Sequence, residues 1–158
     1  MIEAALLRRT TFLCKDAARL ADFYCVVFGF TRYYDHALAV DARFPPTGAP
    51  DGARARLVIL KSRDPTVGML GFLQYEQDLP GGMPAPADGR VRLGEPVLVF
   101  GTDDVHALAS RAQRAGATIA TPPTDWEVPS RDGEGVTRLR TLCFFDPEGH
   151  YCEVSQRV

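Results

Sequence analysis

The stretch CKDAARLADFYCVVFGF, residues 14–30, reads as a capped amphipathic helix. Asp16 suits a helix N-cap, because its side-chain oxygen can accept an orphan backbone N–H of the first turn. Leu20, Phe23, Tyr24 and Val27 recur at helical spacing, and Gly29 stands just past the end, where a left-handed residue closes many helices. Ahead of the helix, Ala5 to Cys14 is apolar and carries Thr10, Thr11, Phe12 and Leu13, which suit a strand. Beyond the helix, Phe30 to Tyr34 reads as a second strand, and a loop rich in Pro, Gly and Ala runs from about Asp41 to Gly52. RARLVILK (Arg54 to Lys61) and GMLGFLQY (Gly68 to Tyr75) are strand-like, with SRDPTV as a hairpin turn between them.

The same order of elements begins again after the Pro/Gly-rich linker 80–89. EPVLVFGT (Glu95 to Thr102) reads as a strand. Asp103 or Asp104 caps VHALASRAQRAG, whose Val105, Leu108, Ala112 and Ala115 share one face and which Gly116 ends. Ala117 to Ala120 reads as a short strand and Thr121 to Glu134 as a loop holding Trp126. TRLRTLCFF (Thr137 to Phe145) and HYCEVSQ (His150 to Gln156) are strands joined by the turn DPEG. An internal repeat constrains architecture more than any single element does. The expected fold class is therefore α+β: one domain of two tandem βαβββ modules, 1–79 and 90–158, forming a curved, cup-like mixed sheet with helices on the outer face. A sheet that packs its helix on one side leaves the other free, and a ligand site belongs on that concave face.

Composition narrows the function classes. Eighteen Lys and Arg against 20 Asp and Glu give a formal net charge of −2, with 46% hydrophobic and 24% charged residues. That excludes disorder as the main state and excludes a nucleic-acid binder working by bulk positive charge. No apolar run reaches the roughly 20 residues that span a bilayer, and the first residues lack the pattern of a secretory signal. Cys14, Cys25, Cys143 and Cys152 form no CxxC pair and sit in apolar segments, so four reduced thiols in a cytoplasmic protein are expected.

Two motifs carry a resemblance. The first is CKDAARLADFYCVVFGF, with Asp16, Phe23, Tyr24, Gly29 and Phe30; the second is FFDPEGHYCEV, residues 144–154; FGTDDVHAL is the second-module counterpart of the first. Together they make the chain similar to the vicinal oxygen chelate superfamily, which includes glyoxalase I, extradiol dioxygenases, fosfomycin-resistance enzymes and bleomycin-binding proteins. The resemblance implies a divalent metal held by His, Gln or Glu on several strands of the cup. It places the terminal ligand at Glu153, four residues after Gly149, and the first at Arg9, seven residues before Asp16. The head of the second module's first strand falls at Val97, and the remaining position near Gly71 to Leu73, with Gln74 reached only by a register slip of one.

Arginine and valine offer a metal no lone pair. His36, His106 and His150 show no ligand spacing and suit exposed or turn positions. The expectation is a cup without metal or other cofactor, with Arg9 paired to Glu153 on its floor, a divalent metal at Glu153 being the alternative. Strand alternation adds Thr11, Lys61, Gln74, Val97, Val99, Trp126, Arg140 and Tyr151 as candidate ligand contacts. Three functions follow from the resemblance. One is a metal-independent lyase or isomerase, with Glu153 as general acid or base and Arg9 stabilising an oxyanion or enolate. The second is a binding protein that sequesters a drug or metabolite. The third is a metal-dependent glyoxalase or dioxygenase. The expected partner is a small molecule, with no nucleic acid and no membrane, in a homodimer.

Overall fold

The structure, a computed structural model, describes residues 5–64, 67–79 and 89–158. The linker expected at 80–89 lies outside these except for Gly89, as do Pro65 and Thr66 of the hairpin turn. Two compact units emerge, Met1–Met83 and Pro84–Val158. The first holds β1 (Arg9–Leu13), α1 (Ala17–Phe28), β2 (Thr31–Val40), β3 (Ala53–Lys61) and β4 (Met69–Tyr75). The second repeats the plan with β5 (Val97–Gly101), α2 (Val105–Arg114), β6 (Thr118–Pro129), β7 (Val136–Phe145) and β8 (Tyr151–Arg157). Each forms an open four-stranded mixed sheet, ordered β1-β4-β3-β2 and β5-β8-β7-β6, with the first pair parallel and the others antiparallel. This is the α+β architecture of two βαβββ modules.

In each module one sheet face packs its helix. Phe12, Val58, Leu60, Leu70 and Phe72 alternate onto that face and are buried with Leu20, Tyr24 and Val27 of α1. The Tyr24 ring centroid lies 5.3 Å from that of Phe72. Burial of each such side chain contributes roughly 1.5–3 kcal/mol. In the second module Leu142, Phe144, Cys152 and Val154 meet Val105, Leu108 and Ala112 of α2.

Both helices start on the same device. Asp16 Oδ1 accepts the Arg19 N–H at 3.0 Å, and Asp104 Oδ1 accepts the Ala107 N–H at 2.9 Å. The first helical N–H is then taken by a glutamine of the module's last strand. Ala17 donates to Gln74 Oε1 at 3.0 Å and Val105 to Gln156 Oε1 at 3.1 Å. Gln156→Ala is expected to cost about 1 kcal/mol in urea unfolding, because it strands the Val105 donor at a half-buried helix end. An unchanged denaturation midpoint would mean that water replaces the amide at no cost.

Three elements differ from the sequence reading. β1 begins only at Arg9, just past Arg8, whose carbonyl accepts the Met69 N–H at 3.3 Å. β2 runs on to Val40, because its continuation HALAV pairs with Leu57 back to Ala53. The expected loop from Thr121 is strand as far as Pro129, through Pro122, Pro123 and Trp126. Two prolines in a row argue against a central strand, but β6 is an edge, and its register shifts between Ile119 and Thr121 and between Thr121 and Thr124 absorb the lost donors.

Candidate functional site

The face of the first sheet turned away from α1 carries Arg9, Thr11 and Leu13 of β1, Gly71 and Leu73 of β4, Leu57 of β3, and Leu38 and Val40 of β2. The segment after β2 folds over this face and buries Ala49 against Val40, Ala53, Ala55, Leu73 and Tyr75. Between that segment and β1 lies a cavity of about 410 Å³, walled by Arg9, Thr11, Leu13, Leu38, Val40, Phe44, Pro45, Leu57 and Leu73. Its size falls in the range of small-molecule sites, and its walls are apolar apart from Arg9 and Thr11. Within its own module Arg9 has no hydrogen-bond or ion-pair partner among the described residues.

Register explains how Arg9 reaches across the sheet. Thr11 stands opposite Gly71 and Arg9 opposite Met69. A Cβ built on Gly71 would sit 2.7 Å from Thr11 Oγ1 and 3.2 Å from both Arg9 Cδ and Thr11 Cγ2. The Arg9 stem and the Thr11 side chain therefore occupy the space that a side chain at 71 would need. The internal repeat says what that position is. β4 and β8 both close their modules with a helix-capping glutamine, so counting back three residues aligns Gly71 with Glu153. The β4 position left between Gly71 and Leu73 by the sequence is thus Gly71, which has no side chain.

On the corresponding face of the second sheet stand Val97, Val99 and Gly101 of β5, Tyr151, Glu153 and Ser155 of β8, Cys143 and Thr141 of β7, and Trp126 of β6. Glu153 lies between Val99 on one side and Cys143 on the other. Burial pushes the Tyr151 hydroxyl well above the usual phenol range, and its bond to Cys143 and the charge of Glu153 push the same way. Tyr151 is therefore a neutral donor at physiological pH. Trp126 keeps its indole partly open while Nε1 donates to Thr141 Oγ1 at 2.7 Å.

Three of the expected ligand contacts sit elsewhere. Gln74 is on the helix side of β4 and closes α1; a slip that turned it to the open face would expose Phe72 and Leu70 with it. Arg140 is also on the helix side, where Nε and Nη2 grip both oxygens of Asp125 and hold that carboxyl below its usual range. The same clasp occurs in the first module, where Arg56 holds both oxygens of Asp35 at 2.7 and 2.9 Å. Its recurrence at equivalent places marks Arg140 as part of the scaffold. Lys61 ends β3 outside the cavity, with Nζ 3.7 Å from the Tyr33 ring centroid.

Leu38, Val40, Phe44 and Pro45 were not among the expected contacts. Phe44 is 71% exposed in a loop-like stretch, and an aromatic followed by two prolines is the one sequence signal for it. His150 serves the turn before β8, its Nδ1 2.9 Å from Asp146 Oδ2. His36 packs against Tyr34 with ring centroids 4.8 Å apart. Among the described residues no group of three or more His, Cys, Asp or Glu side chains is placed to hold a metal ion. No helix among them is long and apolar enough to cross a membrane.

A family model described as Glyoxalase/Bleomycin resistance protein/Dioxygenase superfamily matches residues 6–154. No curated protein matches the chain significantly. Among solved structures, a glyoxalase family protein from Bacillus cereus has a TM-score of 0.77 at 14% identity, over 100% of this chain and 99% of its own. The antibiotic binding protein TnmS3 from Streptomyces sp. CB03234 has a TM-score of 0.59 at 18% identity, over 100% of both chains. The fosfomycin resistance protein FosX from Mesorhizobium loti has 0.55 at 18%, over 98% of this chain and 91% of its own. At these identities the likeness is one of fold.

Proposed function

This chain belongs to the Glyoxalase/Bleomycin resistance protein/Dioxygenase superfamily, and we propose that it binds a small, partly apolar organic molecule and converts it as a metal-independent lyase or isomerase. The observation that carries the reading is the stem of Arg9 lying over Gly71. At the positions to which the resemblance assigns metal ligands stand Arg9, Gly71, Val97 and Glu153, and only the last can donate a lone pair to a cation. A transition-metal site needs three or four such donors. A guanidinium brings fixed positive charge and several N–H donors, which is what a developing oxyanion or enolate needs.

The apolar walls take the body of the molecule and Arg9 its oxygen-bearing end. Glu153 is assigned the proton transfer on the strength of the terminal motif, a carboxylate being the ordinary general base of such chemistry. Glu153→Gln keeps the shape and removes the base. Turnover is expected to fall at least about a hundredfold with binding within a factor of about two. Metal analysis of the purified protein should find less than stoichiometric divalent metal, and a full equivalent would replace this reading with the metal-dependent one.

A second reading is a binding protein that sequesters its ligand. The cavity favours it, because a mostly apolar wall with a single charged group is enough for capture. Binding and cellular protection that both survive Glu153→Gln unchanged would decide for this second reading.

A further inference from the structure

We propose that on the open face of the second module the Ser155 hydroxyl is a specificity-setting, pre-oriented donor to a neutral oxygen acceptor of a bound ligand, such as a ketone or amide carbonyl. Trp126 Nε1–H can only donate, and it donates to Thr141 Oγ1 at 2.7 Å. Thr141 is 6% exposed, so its own hydrogen needs an acceptor inside the protein. Among the described residues the one within reach is Ser155 Oγ, at 2.8 Å. The opposite arrangement, Ser155 donating to Thr141, would leave a buried hydroxyl hydrogen unsatisfied. The chain therefore runs one way, from Trp126 through Thr141 to Ser155, and each bond polarises the next.

The Ser155 hydrogen has no acceptor among the described residues. Its cross-strand neighbour on β5 is Gly101, and a Cβ built there would meet nothing within 4 Å. The donor thus faces open space. Apolar surface stands on either side of it: Val99, 67% exposed, on β5, and Trp126, 45% exposed, on β6. A polarised donor between two apolar patches fits a ligand with an apolar body and one neutral acceptor. A carboxylate is disfavoured, because Glu153 stands two residues before Ser155 on the same face. None of Ser155, Thr141 and Trp126 lines the first-module cavity.

The test uses acetophenone against ethylbenzene, which have like bodies and differ in the carbonyl. The indole Nε1–H signal of Trp126, the chain's one tryptophan, reports binding in ¹⁵N-correlated NMR titrations. In the unaltered protein acetophenone should bind about fivefold or more tighter than ethylbenzene, the value of one hydrogen bond. Ser155→Ala should bring the two to parity. Ser155→Thr, which keeps the hydroxyl, should retain the preference and guards against a trivial folding defect. Equal affinities in the unaltered protein, no binding of either probe, or a preference that survives Ser155→Ala would each overturn the proposal.

Discussion

Gly71→Ala is expected to destabilise the protein by roughly 1–3 kcal/mol, the usual cost of overpacking a well-filled place. The sign makes the result informative. Gly71 has ordinary strand backbone, with no positive φ to protect. Strand propensity alone therefore predicts that alanine gains about 0.5–1 kcal/mol over glycine there. Space predicts the reverse, since the new Cβ would meet Thr11 Oγ1 at 2.7 Å, a separation that must relax. Urea unfolding separates the two directly, and a more stable variant would show that the Arg9 stem does not lie over this residue. Thr11→Ala supplies the control, because it removes two of the three close contacts and leaves Arg9 Cδ at 3.2 Å, on a side chain long enough to shift. The double variant should lie within about 0.5 kcal/mol of Thr11→Ala alone, a coupling of the size that touching residues show.

The fold was legible because its signals are local and occur twice. Asp16 with Gly29, and Asp104 with Gly116, bracket two helices that the structure keeps, and the DPEG turn sets up β8. The Thr121–Pro129 stretch was not legible, because prolines that argue for a loop are tolerated on an edge, and no local pattern says which strand will be an edge. Parts of the site followed from alternation: Arg9, Thr11, Val97, Val99, Tyr151 and Glu153 do share the open faces of their sheets. Gln74 did not, because its side was set by a register that only the pairing of β1 with β4 decides. Arg140 was misplaced for another reason. Strand parity tells which residues share a face, but not which of the two faces receives the helix. Phe44 and Pro45 depend on a loop folding back across the sheet, and nothing in their neighbours encodes that path.

Arg9→Met tests the chemistry proposed for the cavity, since methionine keeps an apolar stem and removes the charge. A charge-assisted hydrogen bond contributes about 1.5–3 kcal/mol, or roughly ten- to 150-fold in affinity. Arg9 is on the exposed side of that range, so the lower end applies. With 4-phenylbutyrate as the probe and the methyl signals of Leu13, Leu38, Leu57 and Leu73 as reporters, binding should weaken about tenfold at low salt. The loss should shrink as ionic strength passes about 0.1 M, where the Debye length is near 10 Å. With 4-phenylbutan-1-ol, which has the same body and no charge, the loss should stay under about twofold. Equal losses for both probes would assign Arg9 a packing role only, and no loss for either would return it to an ordinary solvated strand residue. The same titration bears on the expected pairing of Arg9 with Glu153. If that carboxylate neutralises the guanidinium, Glu153→Gln should tighten 4-phenylbutyrate binding in the unaltered background and have no such effect beside Arg9→Met. Tightening of equal size in both backgrounds would instead mean that Glu153 repels the probe on its own account, and the Arg–Glu expectation would be withdrawn.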